Sequence, residues 1–230
     1  MKRPFILSCI FCLVAGLLVG GVLPMPWDSD GPPAVNTMLR APSSTSSDPN
    51  GLAGLSPEPL DSKDNFQLLN SACYVLQALK NSDYATVASM VHPEKGVTFT
   101  PYSTVDFTTD LTLTSNQVKD LEQDSSLYTW GRADGRGSPI QLTISQYFAQ
   151  YVFNADYTQS SQIGVDQVMI SGNALENVAE AYPDCRFVDF SIPGQSASSQ
   201  GMDWSSLKLV FAPGETCWYL VGIVHGQWTI

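Results

Sequence analysis

Two histidines are the side chains of this sequence best suited to proton exchange near neutral pH. His92 and His225 each stand next to a proline or glycine at the predicted end of an element, where functional groups are common. One interpretation pairs them in a polar pocket with Tyr102 or Asp106, and makes His92 or His225 the general base of a small hydrolase or isomerase. The other makes each histidine a local hydrogen-bonding residue. The sequence favours the second interpretation.

Carboxylates and tryptophans offer two further kinds of site. Asp106, Asp110 and Asp134 could supply an acid/base pair of the kind that hydrolyses glycosides. Residues 61–230 contain eighteen Asp and Glu, however, so such a group arises easily by coincidence. Trp218 and Trp228 could form a stacking platform for a sugar or aromatic ligand, but large rings near the end of a sheet more often fill the core.

Strong motifs for catalysis or metal binding are missing from the sequence. It contains no Gly-x-Ser-x-Gly and no Cys/His spacing typical of zinc. The run Asp134-Gly135-Arg136-Gly137 lacks the alternating ligands and closing glutamate of a calcium loop. We therefore predict no metal and no cofactor, and expect a binding domain rather than an enzyme.

The charge of the chain excludes one class of partner. The formal net charge is −11, and residues 61–230 carry eight Lys and Arg against eighteen acids. Nucleic acids and anionic lipid head groups need compensating positive charge. We expect no nucleic-acid partner, and membrane contact only through the amino terminus.

The amino-terminal sixty residues read as an export segment and a tether. Residues 1–23 place Lys2 and Arg3 before nineteen uncharged, mostly apolar residues, which predicts a signal peptide or a transmembrane anchor. Residues 24–60 hold eight of the fifteen prolines and predict a disordered Pro/Ser-rich linker. The globular domain, residues 61–230, is then extracytoplasmic, either anchored to the cell membrane or secreted.

The periodicity of residues 61–230 predicts an α+β domain, with N-terminal helices packed on a curved, mainly antiparallel sheet that ends in a C-terminal meander. A stripe at helical spacing predicts a first helix to about Asn81, and further helices are expected after Asp83, Thr143 and Asn173. Strands are expected at the places that follow: Val97 to Phe99, Val105 to Phe107, Leu127 to Trp130, Gln162 to Met169, Cys185 to Ile192, Leu207 to Phe211 and Trp218 to Val224. The stripe of the first helix consists of Phe66, Leu69, Cys73, Leu76 and Leu79.

The three cysteines of the domain leave two alternatives open. Cys185 and Cys217 could bridge two C-terminal strands in an oxidising compartment, with Cys73 buried on the first helix. Otherwise all three are unpaired thiols.

Several stretches resemble a group of uncharacterised exported proteins and lipoproteins of Firmicutes-type bacteria. They are Val91-His92-Pro93-Glu94-Lys95-Gly96-Val97, Thr100-Pro101-Tyr102, Tyr128-Thr129-Trp130-Gly131 with Asp134-Gly135, and the ending from Trp218 to Ile230. The group carries no established activity. The element order is also similar to that of NTF2-like (cystatin-related) cones, which serve as ligand pockets, small enzymes or dimerising modules.

These observations predict a domain that binds a small ligand or an envelope protein in a cone-shaped pocket. The candidate pocket residues are His92, Tyr102, Asp106, Trp130, His225 and Trp228. The alternatives are the histidine-based enzyme and a structural module that forms a homodimer.

Overall fold

The computed structural model of the chain describes residues 62–229, in which two helices come first and three more lie between the strands that follow. The helices are α1 (Ser62–Lys80), α2 (Tyr84–Met90), α3 (Ser115–Lys119), α4 (Ile144–Tyr147) and α5 (Val178–Ala181). A short π-helix, Phe148–Val152, continues α4. Short 3-10 turns lie at Leu121–Gln123, Tyr157–Gln159 and Ala197–Ser199.

The strands form one large sheet and one hairpin. They are β1 (Val97–Thr100), β2 (Leu111–Leu113), β3 (Tyr128–Arg132), β4 (Pro139–Leu142), β5 (Gln162–Val165), β6 (Arg186–Ile192), β7 (Ser205–Pro213) and β8 (Trp218–Gln227). The six-stranded sheet has the order β2-β1-β8-β7-β6-β5, and β3 pairs with β4. All neighbours are antiparallel except β1 and β8, which run parallel. The predicted α+β class and the C-terminal meander are confirmed.

The sheet is covered on both faces because successive side chains of a strand point to opposite sides. On β7, Leu207 and Leu209 belong to the main core beneath α1 and the aromatic residues of α4. Val210 points to the other face and joins a second cluster with Val178 and Tyr182. We call these the inner and outer faces. The predicted N-terminal helices account for the inner face, and the layer on the outer face was not predicted.

The buried side of α1 differs from the predicted stripe. Phe66 is 65% exposed and Cys73 is also exposed. The helix instead buries a column that contains small residues, made of Leu68, Ala72, Val75, Leu76, Ala78 and Leu79. Because a helix has 3.6 residues per turn, two adjacent rows of its side chains both show spacings of three and four residues. The sequence pattern alone therefore did not distinguish the buried row from the exposed one. The smaller column allows close packing on the sheet.

Two other predicted elements do not form. Val105 to Phe107 is not a strand, because Asp106 Oδ1 accepts from the Thr108 N–H at 2.9 Å and closes a turn. Asn173 does not cap a helix, since α5 begins only after Asn177. The caps at Asp83 and Thr143 are confirmed.

The predicted signal peptide or anchor and the predicted linker lie outside the described residues. Between residues 62 and 229 no helix has both the length and the apolar character that a membrane span requires. Cys73, Cys185 and Cys217 are free thiols, so the structure has no Cys185–Cys217 bridge.

Candidate functional site

The two histidines lie at opposite ends of β8 and do not share a pocket. The His92 N–H donates to the carbonyl of Leu220 at 3.0 Å, near the start of the strand. His225 follows five residues later on the same strand. At a rise of about 3.3 Å per residue, the two positions are separated by about 16 Å. The interpretation that pairs them is therefore wrong.

His92 has a local structural role. Its Nδ1 accepts from the backbone N–H of Glu94 at 3.2 Å and of Lys95 at 3.1 Å. Its ring packs edge-on against Tyr219, with the centroids 5.5 Å apart. These contacts hold the turn between α2 and β1, as the second interpretation of this histidine expects.

His225 is fully buried on the inner face. Its Nε2 lies 3.2 Å from Gln227 Oε1, and because an amide oxygen only accepts, Nε2 carries the proton. Nδ1 has no hydrogen-bond partner among the described residues. Burial lowers the pKa of His225 to about 4, with a smaller contribution from the positive charge of Lys208. A neutral, inaccessible imidazole cannot contact a ligand in this conformation.

The two candidate tryptophans also lie apart. Trp130 is buried on the inner face, where it stacks on Tyr147 at 3.9 Å and donates from Nε1 to the carbonyl of Leu142 at 2.9 Å. Trp228 is 41% exposed at the end of the chain. Rings of Phe99, Phe148 and Tyr147 also pack together on the inner face.

Tyr102 and Asp106 both line one cleft, which has a volume of about 360 Å³. One wall is the connection between β1 and β2, and the other is the turn of the β3–β4 hairpin. We call this the acidic cleft. Its lining residues are Pro101, Tyr102, Thr104, Asp106, Thr109, Asp110, Arg132, Ala133, Asp134, Gly135, Gly137 and Ala174.

The pKa values of two carboxyls in the acidic cleft are shifted in opposite directions. Asp106 accepts from the N–H and hydroxyl of Thr108 and from the hydroxyl of Thr109, and these bonds lower its pKa. Asp110 Oδ2 accepts from Thr100 Oγ1 at 2.7 Å and from the Asp106 N–H at 3.0 Å. Burial nevertheless raises the pKa of Asp110 to about 6. Two carboxyls in one cleft thus differ in their hold on a proton.

The hairpin side of the acidic cleft is shaped by Gly131 and Arg132. Gly131 has φ +140°, and a Cβ there would lie 3.0 Å from Asp110 Oδ1 and 3.1 Å from Pro101. Only glycine allows this close approach without strain. Arg132 donates from its guanidinium to the carbonyl of Gly137 at 2.9 Å, which braces the turn. Asp134, on the same turn, is exposed, and its carboxylate has no hydrogen bond within residues 62–229.

Tyr102 connects the acidic cleft to the buried rings. Its hydroxyl lies 3.4 Å from that of Tyr151, which also accepts from Gln150 Nε2 at 3.2 Å. The Tyr151 ring in turn meets His225 edge-on at 5.8 Å. The cleft wall is therefore continuous with the rigid inner core.

Sequence reasoning missed a buried charge cluster on the outer face. Lys208 and Asp189 are both fully buried, and the Lys208 ammonium lies 3.0 Å from a Glu176 carboxylate oxygen. Burial raises the pKa of both carboxyls. The signal was present, because a charge in the middle of the strands Arg186–Ile192 and Ser205–Pro213 must point away from an apolar inner face. Within the described chain, no group of three His, Cys, Asp or Glu is arranged to hold a metal ion.

Comparisons with known proteins identify no family. No protein family matches the sequence, and no curated protein is significantly similar to it. Among solved structures, the chain is similar to an NTF2-like designed protein with five substitutions, at 8% identity and a TM-score of 0.30, over 71% of this chain and 99% of that one. The α+β architecture is established by the strands and helices of the chain itself.

Proposed function

We propose that this domain binds a small cationic ligand in the acidic cleft, without chemical change to it. The observation that carries the proposal is the composition of the lining, which has three aspartates and one arginine. A concave site with charge of one sign attracts ligands of the other sign, since its walls focus the field.

The positions of the charged groups favour a cation over a neutral ligand. Arg132 donates to the carbonyl of Gly137, and its positive charge acts on Asp106, so the three aspartates of the cleft still exceed its one cation. The carboxylate of Asp134 has no such engagement and is exposed. An ammonium group that enters the cleft can therefore be accepted by Asp134, while Asp106 adds negative charge that its turn holds in place.

The volume and the fixed walls favour a small molecule. A cleft of about 360 Å³ falls at the low end of the range of ligand pockets, about 300–1,000 Å³. One wall is joined to the core through Tyr102 and Tyr151, and the other is braced by Arg132. Such preorganisation reduces the ordering that binding requires.

One observation supports a second candidate, an acid/base enzyme. Asp110 holds its proton to a pKa of about 6, whereas the pKa of Asp106 is lowered, and a pair divided in this way can act as acid and base. Hydrogen bonds from the turn engage both carboxylate oxygens of Asp106, which favours binding over catalysis. The histidine-based enzyme receives less support, because His225 is buried and His92 Nδ1 already accepts two bonds.

We further propose that binding takes place outside the cytoplasmic membrane, where the sequence predicts the domain to be anchored or secreted. Two alternatives are also proposed: an envelope protein occupies the cleft, or the domain forms a homodimer.

Calorimetric titration of the full chain with putrescine tests the cationic-ligand proposal. We expect saturable binding that weakens with added salt, and a loss of affinity of about three- to tenfold in Asp134→Asn. Glu215→Gln is the matched control, since it removes an exposed charge in the turn between β7 and β8. Equal losses in the two variants would show binding to the general negative charge of the protein and would overturn the assignment to the cleft. Absence of binding would overturn the proposal itself.

A further inference from the structure

A second concave surface lies on the outer face of the sheet. It is a groove of about 290 Å³ between the β1–β2 edge and the segment that follows α5. We call it the outer groove. Its lining residues are Lys95, Thr98, Phe107, Thr112, Ala181, Tyr182, Pro183, Asp184, Cys185 and Val221, none of which lines the acidic cleft.

Two aromatic rings form the apolar part of the outer groove. Phe107 is 54% exposed, and its ring meets Tyr182 edge-on with the centroids 5.1 Å apart. Val221, Ala181 and Pro183 extend this apolar surface. An apolar group of a ligand that covers an exposed phenylalanine beside a concave wall binds favourably, because the apolar surfaces are removed from water.

An unpartnered hydroxyl lies in the same place. Tyr182 is about nine-tenths buried, and its hydroxyl has no partner of hydrogen-bonding geometry among the described residues. The neighbouring Thr98 hydroxyl is engaged with Thr112 Oγ1 at 2.8 Å. Because this hydroxyl is itself buried against Gly222 of the sheet, the ring of Tyr182, and not its oxygen, is the part that a ligand in the groove covers.

Opposite charges stand at the Cys185 end of the outer groove. Lys95 and Asp184 both line the outer groove, and both act electrostatically on the Cys185 thiol. Neither side chain makes a hydrogen bond or an ion pair with another described residue. A ligand with only one charge would be attracted by one of these groups and repelled by the other.

We propose that the outer groove binds a free apolar α-amino acid. The side chain of the ligand covers Phe107 and Tyr182, its carboxylate pairs with Lys95, and its ammonium pairs with Asp184. A molecule with both charges and an apolar body matches the aromatic rings, the ammonium of Lys95 and the carboxylate of Asp184. One the size of phenylalanine suits a volume of about 290 Å³. This site is independent of the cation proposed for the acidic cleft.

Cysteine labelling of the full chain gives a test with internal controls. Cys185 lines the outer groove, whereas Cys73 and Cys217 are exposed elsewhere, and all three are free. Iodoacetamide labelling at each cysteine is followed by peptide mass spectrometry in mildly alkaline buffer, because burial raises the pKa of the Cys185 thiol. We expect L-phenylalanine to slow labelling at Cys185 several-fold and to leave the rates at Cys73 and Cys217 unchanged.

Analogues and variants test the assignment of each group. Phenylpropionate lacks the ammonium and phenylalanine amide lacks the carboxylate, so each should protect Cys185 about tenfold less well at equal concentration. Phe107→Ala and Lys95→Gln should weaken protection similarly, whereas Phe66→Ala, which removes an exposed ring of α1, should not.

The contrary results are equally definite. Absence of protection by L-phenylalanine, or equal slowing at all three cysteines, would overturn the site. Equal protection by phenylpropionate would overturn the amino-acid assignment. Since Phe107→Ala could act by unfolding the groove, its melting temperature is compared with that of Phe66→Ala, and Lys95→Gln keeps the test decisive.

Discussion

At the scale of single residues, His225 links the stability of the fold to pH. Its pKa is about 4 in the folded protein, compared with 6.5 for an unperturbed histidine such as that of the unfolded chain. Between these values the unfolded chain binds a proton that the folded chain does not. Stability due to this group is therefore complete above about pH 6.5 and is lost as the pH falls towards 4, by ~3 kcal/mol.

We predict that His225→Gln makes unfolding less sensitive to acid. Urea unfolding of both proteins at pH 7 and at about pH 4 measures the effect. Asp110, Glu176 and Asp189 have raised pKa values and act in the opposite sense, but they are common to both proteins and cancel in the difference. The parent should lose ~3 kcal/mol more than the variant over this range. Parallel losses would mean that the imidazole is protonated while still folded.

The residues of the acidic cleft show what the sequence could predict at this scale. The sequence indicates Tyr102 and Asp106 as candidate pocket residues and Asp106, Asp110 and Asp134 as candidate carboxylates, and the cleft contains all four. Arg132 and Asp134 belong to a hairpin outside the main sheet, and its approach to the β1–β2 connection depends on tertiary packing. Trp130 belongs to the same hairpin but points inward to Tyr147, and nothing in the local pattern distinguishes the two directions.

At the scale of elements, the long apolar strands were predictable, whereas a short segment held by local hydrogen bonds was not. The meander of β6, β7 and β8 was predictable because long apolar strands follow one another with polar turns between them. The alternation of Val105 and Phe107 around Asp106 is also typical of a strand. Its failure follows from the Asp106 carboxylate, which accepts from the next residues and stabilises a turn.

The cap of α4 provides a prediction about an element. Thr143 Oγ1 accepts from the N–H of Gln146, and the Gln146 side chain accepts from the N–H of Thr143. This short helix carries Tyr147, which stacks on Trp130. Thr143→Ala should lower the free energy of unfolding by ~1 kcal/mol, measured in urea. Thr216→Ala, an exposed change of the same residue type in the turn between β7 and β8, serves as the control, and an equal effect there would show that the cap is not responsible.

At the scale of the whole molecule, the outer layer is attached to the sheet by both apolar and charged contacts. Val178 and Tyr182 supply the apolar contacts. Lys208 on β7 faces Glu176 from the covering segment and Asp189 from β6. A Cβ at position 226 would lie 2.5 Å from Ser206 Oγ and 3.4 Å from Lys208 Nζ, so a glycine on β8 makes room for this cluster. The charges thus couple three parts of the fold.

Removal of the central cation should therefore destabilise the whole fold, in a manner that depends on pH. Lys208→Met leaves the buried Asp189 and the partly buried Glu176 without a positive charge, and breaking a buried pair in this way costs about 3–5 kcal/mol at neutral pH. Burial already raises the pKa of both carboxyls, and the loss of the ammonium raises it further. Their protonation in mild acid removes the unpaired charge, so the deficit should shrink as the pH falls to about 5. Urea unfolding at the two pH values measures this, with the exposed Lys119→Met as a control expected to change stability by less than about 0.5 kcal/mol. A deficit of equal size at both pH values would show that Lys208 stabilises the fold by packing of its aliphatic stem and not by its charge.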